Sequence, residues 1–166
     1  MADAEAGPTA AQAPRVSIKA QYVRDASFEN LAMQKADGRM DRKPEIQVGV
    51  NLDAKKHGDN LYEVILKINA TARHEEAVMF IAEIEYAGRF EIANVPDAQL
   101  HPFLLVECPR LLFPFARRIV ADMTRDGGYP PLMLDIVDFA SLYRNEVEKR
   151  RAAAASGLDG EVAGSA

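Results

Sequence analysis

Cysteine occurs once in the 166 residues, so Cys108 has no partner for an internal disulfide, and no thiol or histidine stands at a metal-ligand spacing from it. Such a chain suits a reducing compartment. Cations are also short: 20 Lys and Arg against 25 Asp and Glu leave a net charge of −5, whereas nucleic-acid affinity rests largely on clustered cations that release counterions. DNA and RNA are not expected partners. No apolar run approaches the roughly 20 residues of a bilayer span, so direct membrane insertion is not expected. Met1 to Pro14, alanine-rich with Asp3 and Glu5, has neither the basic nor the apolar region of a secretory signal. Gly127-Gly128 and Gly157 lack the Lys and Ser or Thr of a phosphate loop. Nucleotide, metal and other cofactors are therefore not expected, and the expected location is cytoplasmic.

What the chain does have is a 48% apolar content, enough for the core of one domain. Residues 1–14 and 152–166, built from Ala, Gly, Ser and acidic residues, are expected as disordered tails, because they offer too little apolar surface to offset ordering entropy. The folded domain is then 15–151. Within it the periodicity changes once, from two to about 3.6. Val16, Ile18, Ala20 and Tyr22 alternate with polar residues as a first strand with one dry face, and Ile46, Val48, Val50 and Leu52 do so as a second. A turn is expected over Ala54 to Asn60. Tyr62, Val64, Leu66, Ile68 and Ala70 mark a third strand; Val78, Phe80, Ala82, Ile84 and Tyr86 mark a fourth, after a turn at Arg73 to Glu76.

From Pro96 onward Leu100, Phe103, Leu104, Cys108, Leu111, Leu112, Phe115, Ile119 and Met123 recur at helical steps, ending at Gly127-Gly128. Pro109 should break or kink that helix, since proline removes a donor and crowds the preceding turn. Asp138 caps a second helix with Phe139, Leu142, Tyr143 and Val147 on one side. Strands followed by helices read as α+β: a four-stranded antiparallel sheet with two C-terminal helices packed on one face. Two helices are few for four long strands, and surplus apolar area, assigned to Phe113, Ile119, Met123 and Met133, calls for self-association.

Enzymatic readings have little support. Cys108 with His101 is the strongest, but the two sit two helical turns and about 10 Å apart on a continuous helix, and Cys108 falls on the apolar stripe. It reads as a buried, inert thiol. His57 and His74 fall in expected loops with no ligand spacing for zinc. No catalytic residue is assigned.

Tyr22-x-x-Asp25-x-Ser27-Phe28-Glu29 and Cys108-Pro109-x-x-Leu112-Phe113-Pro114-Phe115-Ala116-Arg117 resemble the SecB export chaperones. So do Gly128-Tyr129-Pro130-x-Leu132-x-Leu134 and Val137-x-Phe139-x-x-Leu142-Tyr143, which resemble the family's crossover loop and last helix. The likeness runs in order from about residue 15 to 150. Ile136 departs from it by standing where the family usually has proline; the tail departs by carrying only Asp159 and Glu161.

The resemblance implies an ATP-independent holdase of the bacterial cytoplasm that keeps unfolded preproteins translocation-competent and delivers them to the SecA motor ATPase. It also implies a homotetramer, assembled as a dimer of dimers. Four copies at −5 carry −20, a field that favours basic clients but is screened within about 10 Å. Asp25, Glu29, Ile81 and Glu83 match family positions for SecA binding, and odd parity in the fourth strand points Ile81 and Glu83 to solvent. Ala82, Ile84 and Tyr86 match positions that bear on subunit packing, or are plain core. For promiscuous client binding, Tyr129, Met133, Leu134, Phe139, Leu142 and Tyr143 are the groove candidates, with core packing the competing role for Phe139 and Leu142. Two other classes compete: a SecB-like chaperone dedicated to a single partner such as an antitoxin, and a purely structural oligomer.

Overall fold

The computed structural model describes residues 12–35 and 38–159. Four strands, β1 (Arg15–Asn30), β2 (Glu45–Gly58), β3 (Leu61–His74) and β4 (Ala77–Ala93), form one antiparallel sheet in the order β1-β4-β3-β2. Three helices come after them: α1 (Asp97–Pro102), α2 (Cys108–Asp126) and α3 (Phe139–Asp159). None is long and apolar enough to cross a membrane.

Alternation in β3 and β4 sorts the side chains as expected. Val64, Leu66, Ile68, Ile84 and Phe90 pack on the inner face against Leu104, Leu112, Ala116, Val120 and Phe139. Two expectations change at the strands. The turn expected over Ala54 to Asn60 shrinks to its last residues, because Lys55 pairs with Glu63 and Lys56 with Tyr62, carrying β2 on to Gly58. Asn60, at φ 58°, makes the reversal. His57 and His74 accordingly lie at strand ends rather than in loops. In β1 the single alternation is interrupted twice, with register shifts between Ile18 and Ala20 and between Val23 and Asp25. Each bulge reverses the facing of the residues beyond it. Val16 and Ile18 oppose inner-face Ile92 and Phe90, but Tyr22 opposes Ala87 and faces outward.

Between α1 and α2 the chain makes a π-helical turn, Phe103–Glu107. Its cause is Pro109. That residue has no N–H for the carbonyl of Leu105, and the Cys108 N–H reaches back five residues to the Phe103 carbonyl. The expected break is thus displaced into the turn before the proline. At the far end Gly127 donates to the Met123 carbonyl at 2.9 Å and Gly128, at φ 88°, turns the chain out of the helix. The Thr124 hydroxyl accepts from the Leu132 N–H at 2.9 Å, fixing the crossover loop.

Asp138 caps α3, its carboxylate accepting from the Ser141 N–H at 3.0 Å and from the Ser141 hydroxyl at 2.7 Å. Only α2 lies along the sheet. The body of α3 packs against the π turn and stands beside the β2 edge, with Phe139 and Leu142 of its first turns in the inner-face core, so the two helices share one face as expected but only α2 runs across it. α3 also runs past the expected boundary at Ala152 to Asp159, because an alanine run favours helix locally even with nothing to pack on. The rest of that expected tail, 160–166, and residues 1–11 of the other lie outside the described residues.

The surplus apolar surface is placed differently from the expectation. Phe113 is buried, while Val16, Ile18 and Val23 on β1, Ile46 and Val48 on β2, and Leu111 and Phe115 on α2 are exposed. Met133 is exposed as expected, and Ile136 of the same loop is more exposed still, at 89%.

Candidate functional site: an acidic sheet face and an apolar groove

The β1–β4 register sets the first site. Glu29 pairs with Ile81, Ser27 with Glu83 and Asp25 with Glu85, and directly opposed residues share a face. Asp25, Glu29, Ile81 and Glu83 therefore converge on the outer face, far apart though they are in sequence. Glu85 is partly neutralised by Lys67 at 3.1 Å and Arg24 at 3.8 Å. Among the described residues no cation lies within 4.0 Å of Asp25, Glu29 or Glu83. A shallow depression of about 190 Å³ sits here, lined by Asp25, Lys67, Asn69, Glu83 and Glu85 among others. The result is a solvated acidic surface bearing one half-buried isoleucine.

A second outer-face cluster escaped sequence reading. Glu63 is nearly buried, with the Tyr22 hydroxyl donating to Oε1 and His57 Nε2 lying 3.1 Å from Oε2. The Tyr22 hydrogen bond, with those of His57 and the charge of Arg24 behind it, holds the carboxyl below its ordinary range against the opposing effect of burial. Burial and the neighbouring carboxylate push the Tyr22 phenol up, so it stays a donor. The missing signal was the β1 bulge, which carries no mark in a simple alternation count.

The groove candidates divide. Leu142 and Tyr143 line a cavity of about 340 Å³ together with Val50, Leu52, Leu105 and Val147, where the β2 edge faces α3 and the π turn. Tyr143 bonds His101 Nδ1 at 3.0 Å, with ring centroids 5.5 Å apart. Met133 is exposed on the crossover loop but does not line this cavity. Tyr129, Leu134 and Phe139 are core. Tyr129 packs on Phe80 with centroids 4.7 Å apart and donates to Asn30 Oδ1 at 3.1 Å, and burial raises its pKa. Phe139 meets Phe113 edge-on at 5.9 Å, and Leu134 is 4% exposed. Sequence reading missed Val50, Leu52 and Leu105. The signal available for the first two was their place on the apolar side of an edge strand.

Ala82, Ile84 and Tyr86 are all buried on the inner face of the protomer itself. Tyr86 alone reaches toward the β1 side, where it stacks on exposed Phe115 at 6.3 Å and its hydroxyl lies 3.3 Å from Gln21 Oε1. Cys108 is fully buried, and burial, with Glu107 adding to it, pushes its thiol up to about 12. At neutral pH it is a protonated core residue.

Residues 9–150 match the family described as SecB, preprotein translocase subunit SecB. A protein-export protein SecB of Roseobacter denitrificans is 51% identical over 166 residues, covering 96% of this chain and 99% of its own length. Those of Maricaulis maris and Dinoroseobacter shibae are 52% and 53% identical, over 87% and 90% of this chain and 84% and 88% of theirs. In fold the chain is similar to a SecB-like chaperone of Mycobacterium tuberculosis solved with an antitoxin peptide. That likeness has a TM-score of 0.60 at 14% identity and covers 74% of this chain and 91% of that one.

Proposed function

The chain belongs to the SecB family of protein-export chaperones, and from that premise we propose a nucleotide-independent holdase that captures unfolded preproteins in the bacterial cytoplasm and passes them to SecA. The family match across the whole folded domain carries this reading. The geometry supports it by separating two surfaces: an apolar groove on the helical side and an acidic face on the outer side of the sheet.

The groove is the client site. Its lining of Val50, Leu52, Leu105, Leu142, Tyr143 and Val147 supplies apolar and aromatic contact without demanding one partner side chain. The β2 edge beside it offers backbone groups to an extended chain. Leu142 and Tyr143 are the retained candidates. Tyr129, Leu134 and Phe139 serve by holding the crossover loop and the root of α3 in place.

The acidic face is the SecA site, with Ile81 as an apolar contact ringed by Asp25, Glu29 and Glu83. Assembly into a dimer of dimers accounts for the exposed Val16, Ile18 and Val23 of β1 and Leu111 and Phe115 of α2.

Light scattering on size-exclusion peaks tests the reading, with and without a urea-diluted, nonfolding precursor and with no nucleotide. A tetramer that takes up the precursor supports it; a particle that ignores unfolded chains defeats it. Reversing charge at Asp25 and Glu83 together should weaken SecA binding, monitored by titration calorimetry, while precursor capture persists. Undiminished SecA binding would move that site off the outer face.

A further inference from the structure

One segment of β1 breaks the alternation of the strand on both sides of it. Two bulges bound the segment, with Lys19 left without an opposed residue at the first and Arg24 at the second. Between them Ala20 and Tyr22 face outward, against the parity of Val16 and Ile18. Each extra residue is tied to a carboxylate of β4, Lys19 to Glu91 and Arg24 to Glu85 at 3.8 Å. Both pairs are open to solvent, so each contributes little. The stronger clasp is Tyr22, whose hydroxyl reaches across β4 to donate to the nearly buried Glu63 of β3. A hydrogen bond to a sheltered carboxylate outweighs either exposed pair. Ala87 and Ile65, which continue the row of Tyr22 across β4 and β3, are fully buried although they lie on the outer face. Tyr22 is thus fixed by its row as well as by its hydroxyl.

The bulges decide which residues the acidic face brings together. Ile18 opposes Phe90 before them, and Asp25 opposes Glu85 after them. With one bulge lost, the residues beyond it would change face, and Asp25 and Glu29 would turn inward. With both lost, the pairing of Ile18 with Phe90 would run on to set Asp25 opposite Glu83 and Glu29 opposite Met79, a displacement of about 7 Å along β4. Resting on the reading of this face as the SecA site, we propose that Tyr22 and Glu63 are positioning residues for SecA docking: their bond holds the reversed segment between its bulges and so keeps Asp25 and Glu29 beside Ile81 and Glu83. Neither residue needs to touch SecA.

Two readouts on the full chain test this, one of register and one of docking. Ser27 and Glu83 oppose each other directly, and opposed Cα atoms, about 4.5–5.5 Å apart, lie within disulfide range. Ser27→Cys with Glu83→Cys should therefore cross-link in a glutathione buffer, read by non-reducing electrophoresis, while the fully buried Cys108 stays out of the exchange. Adding Tyr22→Phe or Glu63→Leu should lower the effective concentration of that cross-link about fivefold, the weight of one such hydrogen bond. With Ser27 and Glu83 left in place, the same two substitutions should weaken SecA binding about fivefold by titration calorimetry. Glu63→Gln keeps an acceptor for Tyr22 while losing the charge, and should hold both readouts at the parent's level. Cross-linking unmoved by Tyr22→Phe and Glu63→Leu overturns the inference. So does a Gln variant that binds SecA as poorly as the Leu variant, which would make Glu63 a charge of the face rather than its support. Weaker cross-linking with SecA binding intact would keep the register role but remove the acidic face as the SecA site, and the docking role with it.

Discussion

Glu63 is a carboxylate kept almost out of water, at 7% exposure, and its donors are what make that tolerable. Tyr22 is the largest of them, so Tyr22→Phe leaves the carboxylate short of a bond that in charged form contributes about 1–2 kcal/mol. The pH dependence comes from the direction of the shift. Glu63 sits below its ordinary value of 4.5, so its contribution is fully present above that pH and is lost as pH falls through the lowered value. Urea unfolding of the two proteins should differ by about 1–2 kcal/mol at pH 7, and the gap should close on acidification below 4.5. A gap that stays constant to low pH would mean the hydroxyl acts through packing alone. Cys108 shows the opposite case, a titratable group with no role in charge, its thiol pushed up to about 12 by burial.

At the scale of elements, the seating of α2 on the sheet depends on Gly88 of β4. A Cβ there would come within 2.8 Å of Leu112 and 2.7 Å of the Phe90 ring, so Gly88→Ala must push the helix off or force both side chains from their rotamers. It should lower unfolding stability by about 1–3 kcal/mol, measured by urea denaturation; an unchanged midpoint would mean the helix can shift without loss. Such packing explains what the sequence does and does not disclose. β3 and β4 were legible because their even-numbered apolar residues keep to the inner face along most of both strands, although Ile65, Met79 and Ala87 are buried as well, and the Asp138 cap because its chemistry is local. The β1 bulges were not, since the reversal at Ala20 is defined by pairing with Arg89, a residue nearly seventy positions away. Pro109 announced a break, but which turn would open depended on the Phe103 carbonyl finding the Cys108 N–H. The acidic face was half legible: parity gave Ile81 and Glu83, and only the register joined them to Asp25 and Glu29. The groove was least so, because Val50 and Leu52 of β2 and Leu105 of the π turn meet only after α3 stands beside the β2 edge.

For the whole molecule the governing fact is that apolar surface remains on the β1 side after the protomer's core is complete. Val23 lies across from Tyr86, Tyr86 stacks on Phe115, and Phe115 is one turn from Leu111, so exposed residues of strand and helix adjoin through a buried one. A second copy laid over this side would remove that surface from water at about 25 cal/mol per Å². Opposing it, the four copies of the proposed tetramer would bring together a charge of −20, a repulsion that salt weakens while leaving apolar burial intact. Association should therefore strengthen with salt, and placing a charge within the apolar side should undo it. Phe115→Asp is the direct trial, because residue 115 is 45% exposed in the protomer and its replacement need not disturb the core. Scattering at matched concentration should show the variant at a lower mass than the parent, with unchanged helical content by circular dichroism. A variant that keeps the parent's mass would put the contact elsewhere, on the exposed Ile46 and Val48 of the opposite edge, and would set the β2 edge in competition between assembly and client.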